Sequence, residues 1–186
     1  MRSLLPFLIV TSLLFLNFTS ERSKTGKQDE YVCIPCGSDC DSEVHTGPGV
    51  CSHCNMAFVK KSTIKQKNID PKDLCAFLAR NGNQGVLLLD VRTVAEFEGK
   101  ANDKFGRLAN AVNIPIQELD KRMEELSNWK DKQVVVYCSH SHRSPRASYM
   151  LSQNGFKNVT NMSGGMSVWK DSVKDKDCNL KLYISQ

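Results

Sequence analysis

Val134-Val135-Val136-Tyr137-Cys138-Ser139-His140-Ser141-His142-Arg143-Ser144 is the stretch on which the reading of this chain turns. A short apolar run rich in β-branched valine predicts a buried strand. Cys138 stands where that strand ends, and Pro145 to Asn154 reads as a helix. The residues between them form a loop whose amides, together with the positive end of the next helix, face the cysteine sulfur. That field stabilises a thiolate or a persulfide anion. Small Ser139 and Ser141 and the cation Arg143 suit a loop wrapped around an anion. A cysteine at a strand end can equally be a small apolar filler. The conjunction of loop, arginine and helix start favours a nucleophile.

Outward from this stretch, helix and strand signals alternate. Asp70-Pro71 predicts a helix start, with Leu74, Phe77 and Leu78 on its apolar face and Gly82 and Gly85 after it. Val86 to Val91 is a second buried-type strand, ending at Asp90-Val91. Val94 to Phe97 starts a short helix, and Ala111 to Pro115 forms a short strand. Ile116 to Trp129 is amphipathic, with Leu119, Met123, Leu126 and Trp129 on one side. Val159 to Met162 is the last clear strand, followed by Gly164-Gly165 and a helix through Trp169. The two tryptophans read as packing residues. This order implies an α/β fold: a mostly parallel sheet with helices on both faces. Ligands bind such sheets at the carboxyl ends of the strands, where Asp90 and Cys138 both fall.

The chain has 186 residues and a net charge of +5. Its lysines are scattered without an aromatic-basic pattern, so no nucleic-acid partner is expected. Met1 to Ser20, with Arg2 before the apolar Leu4 to Leu16, reads as a signal peptide. Export to a periplasm or to the outside is therefore expected, and membrane contact only if the segment stays uncleaved. Residues 21–30 read as a polar linker.

Of eight cysteines, five crowd into Cys33 to Cys54. Cys33-x2-Cys36 and Cys51-x2-Cys54, with Gly47-Pro48-Gly49 between them, have the spacing of two metal-binding knuckles. The module, residues 31–61, is too short for a self-sufficient apolar core, so metal or disulfides must hold it. Cys33, Cys36, Cys51 and Cys54 are the expected ligands, with Cys40, His45 and His53 as spare candidates. The sulfur-rich set favours zinc or another thiophilic ion. A disulfide-bonded module stays open, since an oxidising compartment permits it. Cys75 reads as buried and inert. Cys178, in the charged tail of residues 176–186, could resolve an oxidised Cys138.

Two resemblances add to this reading. Tyr31-x-Cys33-x2-Cys36, then Gly47-Pro48-Gly49-x-Cys51-x2-Cys54-x-Met56, resembles the short heavy-metal-binding domain found beside metal transporters. Residues 69–175 resemble a single rhodanese domain. The match rests on Leu89-Asp90-Val91-Arg92 with Glu96-Phe97, on Ala111-Val112-Asn113-Ile114-Pro115, on Val136-Tyr137-Cys138 through Arg143-Ser144, and on Gly155-Phe156-x-Asn158-Val159 with Gly164-Gly165-x3-Trp169. The resemblance implies that Cys138 accepts sulfur and that amides of Ser139 to Arg143 hold the persulfide. Two departures stand out. The family often has Gly-His-Ile-Pro-Gly-Ala where this chain reads Gly106-Arg107-Leu108-Ala109-Asn110-Ala111. Its loop usually has a glycine where Ser141 stands, and here His140 and His142 join the loop.

Related phosphatase-like and arsenate-reducing enzymes carry a loop one residue longer, which makes room for a tetrahedral oxyanion. The shorter loop here suits a single sulfur atom. The resemblance thus implies an exported sulfurtransferase working on a small sulfur donor and a thiol or cyanide acceptor, with no cofactor needed for the transfer. His140 and His142 could tune the thiol or bind an anionic donor. Arg143 could bind the donor, or pair structurally with Asp90 or Glu96. Of these, Asp90 is the expected structural support. A metal-handling adaptor on the same fold is the alternative, and a thiol or oxyanion reductase a further one.

Overall fold

The computed structural model describes residues 28–35, 38–65, 67–82, 85–173 and 177–186. The expected signal peptide, most of the linker and Cys36 lie outside the described residues.

The central sheet grows from the two apolar runs. Val86–Asp90 forms β4 and Gln133–Tyr137 forms β7, and they pair in parallel with Leu89 beside Val136. Asn158–Met162 (β8) lies on the far side of β7, and Lys67–Ile69 (β3) closes that edge. Val112–Asn113 (β6) closes the other edge against β4. The order is β3-β8-β7-β4-β6 and every pairing is parallel.

Because side chains alternate along a strand, each strand feeds two cores. Leu87 and Leu89, with Val134, Val136 and Cys138, point to one face. There they meet Leu119 of helix α3 (Ile116–Arg122) and Ala147 and Leu151 of helix α4 (Arg143–Gln153). Val86 and Leu88, with Val135 and Tyr137, point to the other face. They meet Leu74 and Leu78 of helix α1 (Leu74–Asn81), and Trp169 and Val173 of helix α5 (Trp169–Val173). The α/β architecture, with helices on both faces, is as the sequence implied.

Several local readings change. The junction before Asp70, polar and only three residues long in β3, carries no strand signal in sequence, yet it completes the sheet edge. The helix expected over Ile116 to Trp129 is α-helical only to Arg122 and continues as a 3-10 turn over Met123–Trp129. The C-terminal tail is structured: Asp177–Leu182 forms helix α6, and Tyr183–Ile184 (β9) pairs antiparallel with Arg107–Leu108 (β5). Cys75 of α1 is disulfide-bonded to Cys178 of α6. Buried Asn179 reinforces that joint, accepting from the Cys75 amide at 2.9 Å and donating to the Lys72 carbonyl at 2.9 Å. Cys75 is therefore not inert, and Cys178 is already committed.

The cysteine-rich module precedes the sheet. Tyr31–Val32 (β1) pairs antiparallel with Val59–Lys60 (β2), and isolated bridges join Tyr31 to His45 and Val50 to Ala57. The linking segment touches α4, where the Thr63 and Tyr149 hydroxyls meet at 3.0 Å.

Candidate active site and thiol cluster

Cys138 leaves β7 on the α4 face and is 1% exposed. The chain then bends through Ser139, His140, Ser141 and His142 before α4 begins at Arg143. Among the described residues, the amides of these four loop residues donate to no backbone carbonyl. They are available to an anion, beside the N-terminus of an 11-residue helix. Cys138 Sγ lies 3.4 Å from Ser144 Oγ, a buried hydroxyl that can donate to a charged sulfur. Ser144 was visible in sequence only as the residue after the loop arginine.

The loop is pinned from below. The Met166 amide donates to the Cys138 carbonyl and the Ser167 amide to the Ser139 carbonyl, both at 2.9 Å. Ser141 Oγ donates to the Met162 carbonyl at 3.1 Å. A Cβ on Gly165 would stand 2.4 Å from the Cys138 carbonyl oxygen, and its φ is +62°. Only glycine admits this approach. Ser139 and Ser141 are buried, whereas His140 and His142 are exposed. His140 meets the Phe105 ring edge-on at 5.0 Å.

Arg143 finds Glu96 rather than Asp90. Its guanidinium donates to both Glu96 oxygens, at 2.6 and 2.7 Å, and to Ser139 Oγ at 2.7 Å. Glu96 also closes a capping box on helix α2 (Val94–Phe97). The Thr93 amide donates to its carboxylate at 3.0 Å, and its own amide donates to Thr93 Oγ1 at 3.2 Å. The Arg143 guanidinium, against the opposing effect of burial and with help from Thr93, holds the Glu96 carboxyl down at about 2. The signal for this role was the Thr93-x-x-Glu96 spacing.

Asp90 is fully buried and serves Arg92. Arg92 Nε and Nη2 reach its carboxylate at 3.0 and 2.7 Å, and Nη2 also donates to the Gly106 carbonyl at 2.8 Å. Asp90 therefore fixes the segment at Gly106, next to the sheet, and supports the Cys138 loop only indirectly.

In the module, Cys33, Cys40, Cys51 and Cys54 bring their sulfurs within 4.8 Å of one another. A tetrahedral zinc site, with Zn–S near 2.3 Å, has sulfur–sulfur edges of roughly 3.8 Å, so this cluster needs little adjustment to hold such an ion. Three of the sulfurs are buried and Cys54 is half-buried. Amides of Cys54 and, against burial, of His53 lower the Cys51 thiol to about 7. Burial pushes the Cys33 thiol up. The donor chemistry, all thiol and no carboxylate, fits a thiophilic cation.

Cys40, a spare candidate in the sequence, stands in this cluster with three of the four expected ligands. A 3-10 turn over Asp39–Ser42 carries it inward, and Cys36 lies outside the described residues. His45 is not in the cluster: it stacks on Phe58 at 3.8 Å and faces Glu43 at 3.7 Å. His53 also stands outside it.

The chain has matches among known proteins. The rhodanese-like domain matches residues 73–172, more than half of the chain. This chain belongs to the rhodanese-like family. Over 97 residues it is 38% identical to YqhL of Bacillus subtilis, covering 52% of this chain and 71% of that protein. Over 101 residues it is 36% identical to a sulfurtransferase of Allochromatium vinosum, covering 54% and 85%. A rhodanese-related protein of Thermoplasma volcanium is 34% identical, with a TM-score of 0.44 and coverage of 56% and 91%.

The two departures from the rhodanese pattern now share one explanation. Asn110 and Ser141 stand where that pattern carries glycine, and both keep a left-handed backbone, each with φ of 60°. Both positions therefore hold a conformation that glycine adopts freely. Asparagine tolerates that region comparatively well, and serine less so.

Proposed function

We propose that this chain is an exported sulfurtransferase that carries sulfane sulfur on Cys138 and holds one structural metal ion in its N-terminal module. The observation that carries the first part is the Cys138 loop: a buried sulfur at a strand end, followed by loop amides that donate to no backbone carbonyl among the described residues, at the start of α4. The reaction runs as two displacements at sulfur. With thiosulfate, the Cys138 thiolate attacks the outer sulfur, the donor S–S bond breaks, and sulfite leaves. A thiol or cyanide then takes the terminal sulfur and Cys138 returns as a thiolate. Loop amides stabilise the terminal sulfur anion in between. Arg143, locked on Glu96, holds Ser139 and keeps a positive charge beside the sulfur. His140 and His142, both exposed, would meet an incoming donor.

Cys33, Cys40, Cys51 and Cys54 would hold zinc or another thiophilic ion. The ion would cross-link the module, and no step of sulfur transfer runs through it. Export rests on the apolar leader Met1 to Ser20.

Incubation with thiosulfate should add about 32 Da to Cys138, and Cys138→Ser should lose both that adduct and thiocyanate formation. Undiminished turnover in Cys138→Ser would end this reading. The thiol cluster favours a second reading, a metal-handling adaptor in which the fold only positions the module. That reading expects stoichiometric ion exchange with no sulfur adduct. A reductase using Cys138 and Cys178 is disfavoured, because Cys178 is bonded to Cys75.

A further inference from the structure

The four sulfurs of the module's cluster differ in how they can be reached. Cys33, Cys40 and Cys51 are buried, with exposures of 1%, 1% and 2%. Cys54 is half-buried. It lines a cleft of about 410 Å³, which Arg143 and Arg146 of α4 also line. No carboxylate lines this cleft among the described residues, so negative charge developing there is not repelled. A reagent from solvent therefore meets the cluster at Cys54. Behind it, Cys33 Sγ lies 3.0 Å from Cys54 Sγ, about 1 Å beyond a covalent S–S bond. The accessible sulfur thus has a buried second sulfur in contact with it.

We infer that Cys54 is the oxidation site of the module, with Cys33 as its resolving thiol, and that oxidation of this pair by a hydroperoxide releases the bound ion. This rests on the metal reading of the thiol cluster. A sulfur that ligates a metal is a thiolate, the form that reacts with peroxides. The Cys54 thiolate attacks one oxygen of hydrogen peroxide. The O–O bond breaks, hydroxide leaves, and Cys54 becomes a sulfenic acid. The Cys33 thiolate then attacks the Cys54 sulfur. The S–O bond breaks, a second hydroxide leaves, and a Cys33–Cys54 disulfide forms. The two sulfurs give up two electrons, and the peroxide takes them. The ion keeps two of its four sulfurs and dissociates, which removes the cross-link that it made.

The test uses the full chain loaded with zinc, carrying Cys138→Ser so that the loop thiol consumes no peroxide. Hydrogen peroxide should release about one zinc per chain, read with a chromogenic chelator. Peptide mass mapping should then find Cys33 linked to Cys54. Release without that disulfide, or zinc retained while Cys54 is oxidised, overturns the inference. N-ethylmaleimide needs no resolving thiol and reads access alone. Its first label should enter Cys54 about tenfold faster than Cys33, Cys40 or Cys51, each of which must wait for local opening. Equal rates at the four sulfurs overturn the assignment to Cys54. Cys54→His keeps a zinc ligand at that position, and its zinc should leave about tenfold more slowly in peroxide. Peroxide sensitivity unchanged in Cys54→His would also overturn it. A natural chain that takes up no zinc overturns the metal reading itself, so the two failures are told apart.

Discussion

The two halves of this protein use cysteine in opposite ways. In the rhodanese-like domain, valine, leucine and aromatic side chains fill both faces of the sheet, and Cys138 is one buried member of a large apolar cluster. In the module, the buried cluster among the described residues is Cys33, Cys40 and Cys51, with Cys54, Met56 and Phe58 packed against it. There the sulfurs are the core. A few tens of residues cannot bury enough apolar surface to offset chain entropy, so metal–ligand bonds or disulfides would have to hold the module.

The sharpest way to break this contrast is to remove one sulfur from each side. Cys40→Ser should abolish stoichiometric metal binding and unfold the module, since a structural site contributes on the order of 10 kcal/mol. The sulfur adduct on Cys138 should still form in that variant. Metal analysis and mass spectrometry check both halves; retention of a full equivalent of ion would remove Cys40 from the ligand set.

Gly165→Ala tests the claim that the sheet domain's backbone, rather than any ligand, shapes the Cys138 loop. The added Cβ meets the Cys138 carbonyl at 2.4 Å in a left-handed residue. A loss of about 2–4 kcal/mol in denaturant unfolding is expected, with sulfur transfer falling further than stability alone accounts for. Metal binding should not change.

Glu96→Gln probes the ion pair that holds the loop arginine. Its cost should be about 1–3 kcal/mol at neutral pH. The Glu96 carboxyl is lowered from 4.5 to about 2 in the folded protein, so its contribution is complete above pH 4.5 and is lost as pH falls toward 2. Acid unfolding should therefore be shallower over that window in Glu96→Gln. Identical acid profiles for the two proteins would show that the pair adds nothing.

The smallest effect is a gain. Ser141→Gly relieves a left-handed serine and should stabilise the domain by up to about 1 kcal/mol, offset in part by loss of the Ser141 hydrogen bond to Met162. A destabilised variant would mean that this hydrogen bond outweighs the backbone strain.

The apolar runs at Val86 to Leu89 and Val134 to Tyr137 were legible because β-branched and leucine-rich segments of that length have few other solutions. Cys138 was legible because it ends one of them. The edge strand Lys67–Ile69 was not, since two of its three side chains are exposed and it is held by main-chain pairing to β8. The docking of the tail was not legible for the same kind of reason: the Cys75–Cys178 bond, Asn179 and pairing of β9 with β5 hold it on the domain. Cys-x2-Cys spacing did not show that Cys40 joins Cys33, Cys51 and Cys54, because a turn brings in its sulfur from outside the knuckle.

By itself, the sequence determined the alternation of strands and helices, the placing of Cys138 at a strand end, and a sulfur-rich site ahead of the sheet. Those properties follow from local periodicity and from the chemistry of single residues. Tertiary structure alone decided which carboxylate meets which arginine. Asp90 and Glu96 lie six positions apart, and both could have served Arg143; the capping turn at Thr93 aims Glu96 at Arg143, while Asp90 closes on Arg92. It also decided that His53, Cys54 and Met56 of the module line one cleft with His142, Arg143 and Arg146 at the start of α4. Pairings between distant segments depend on how the chain packs, and no local pattern encodes them.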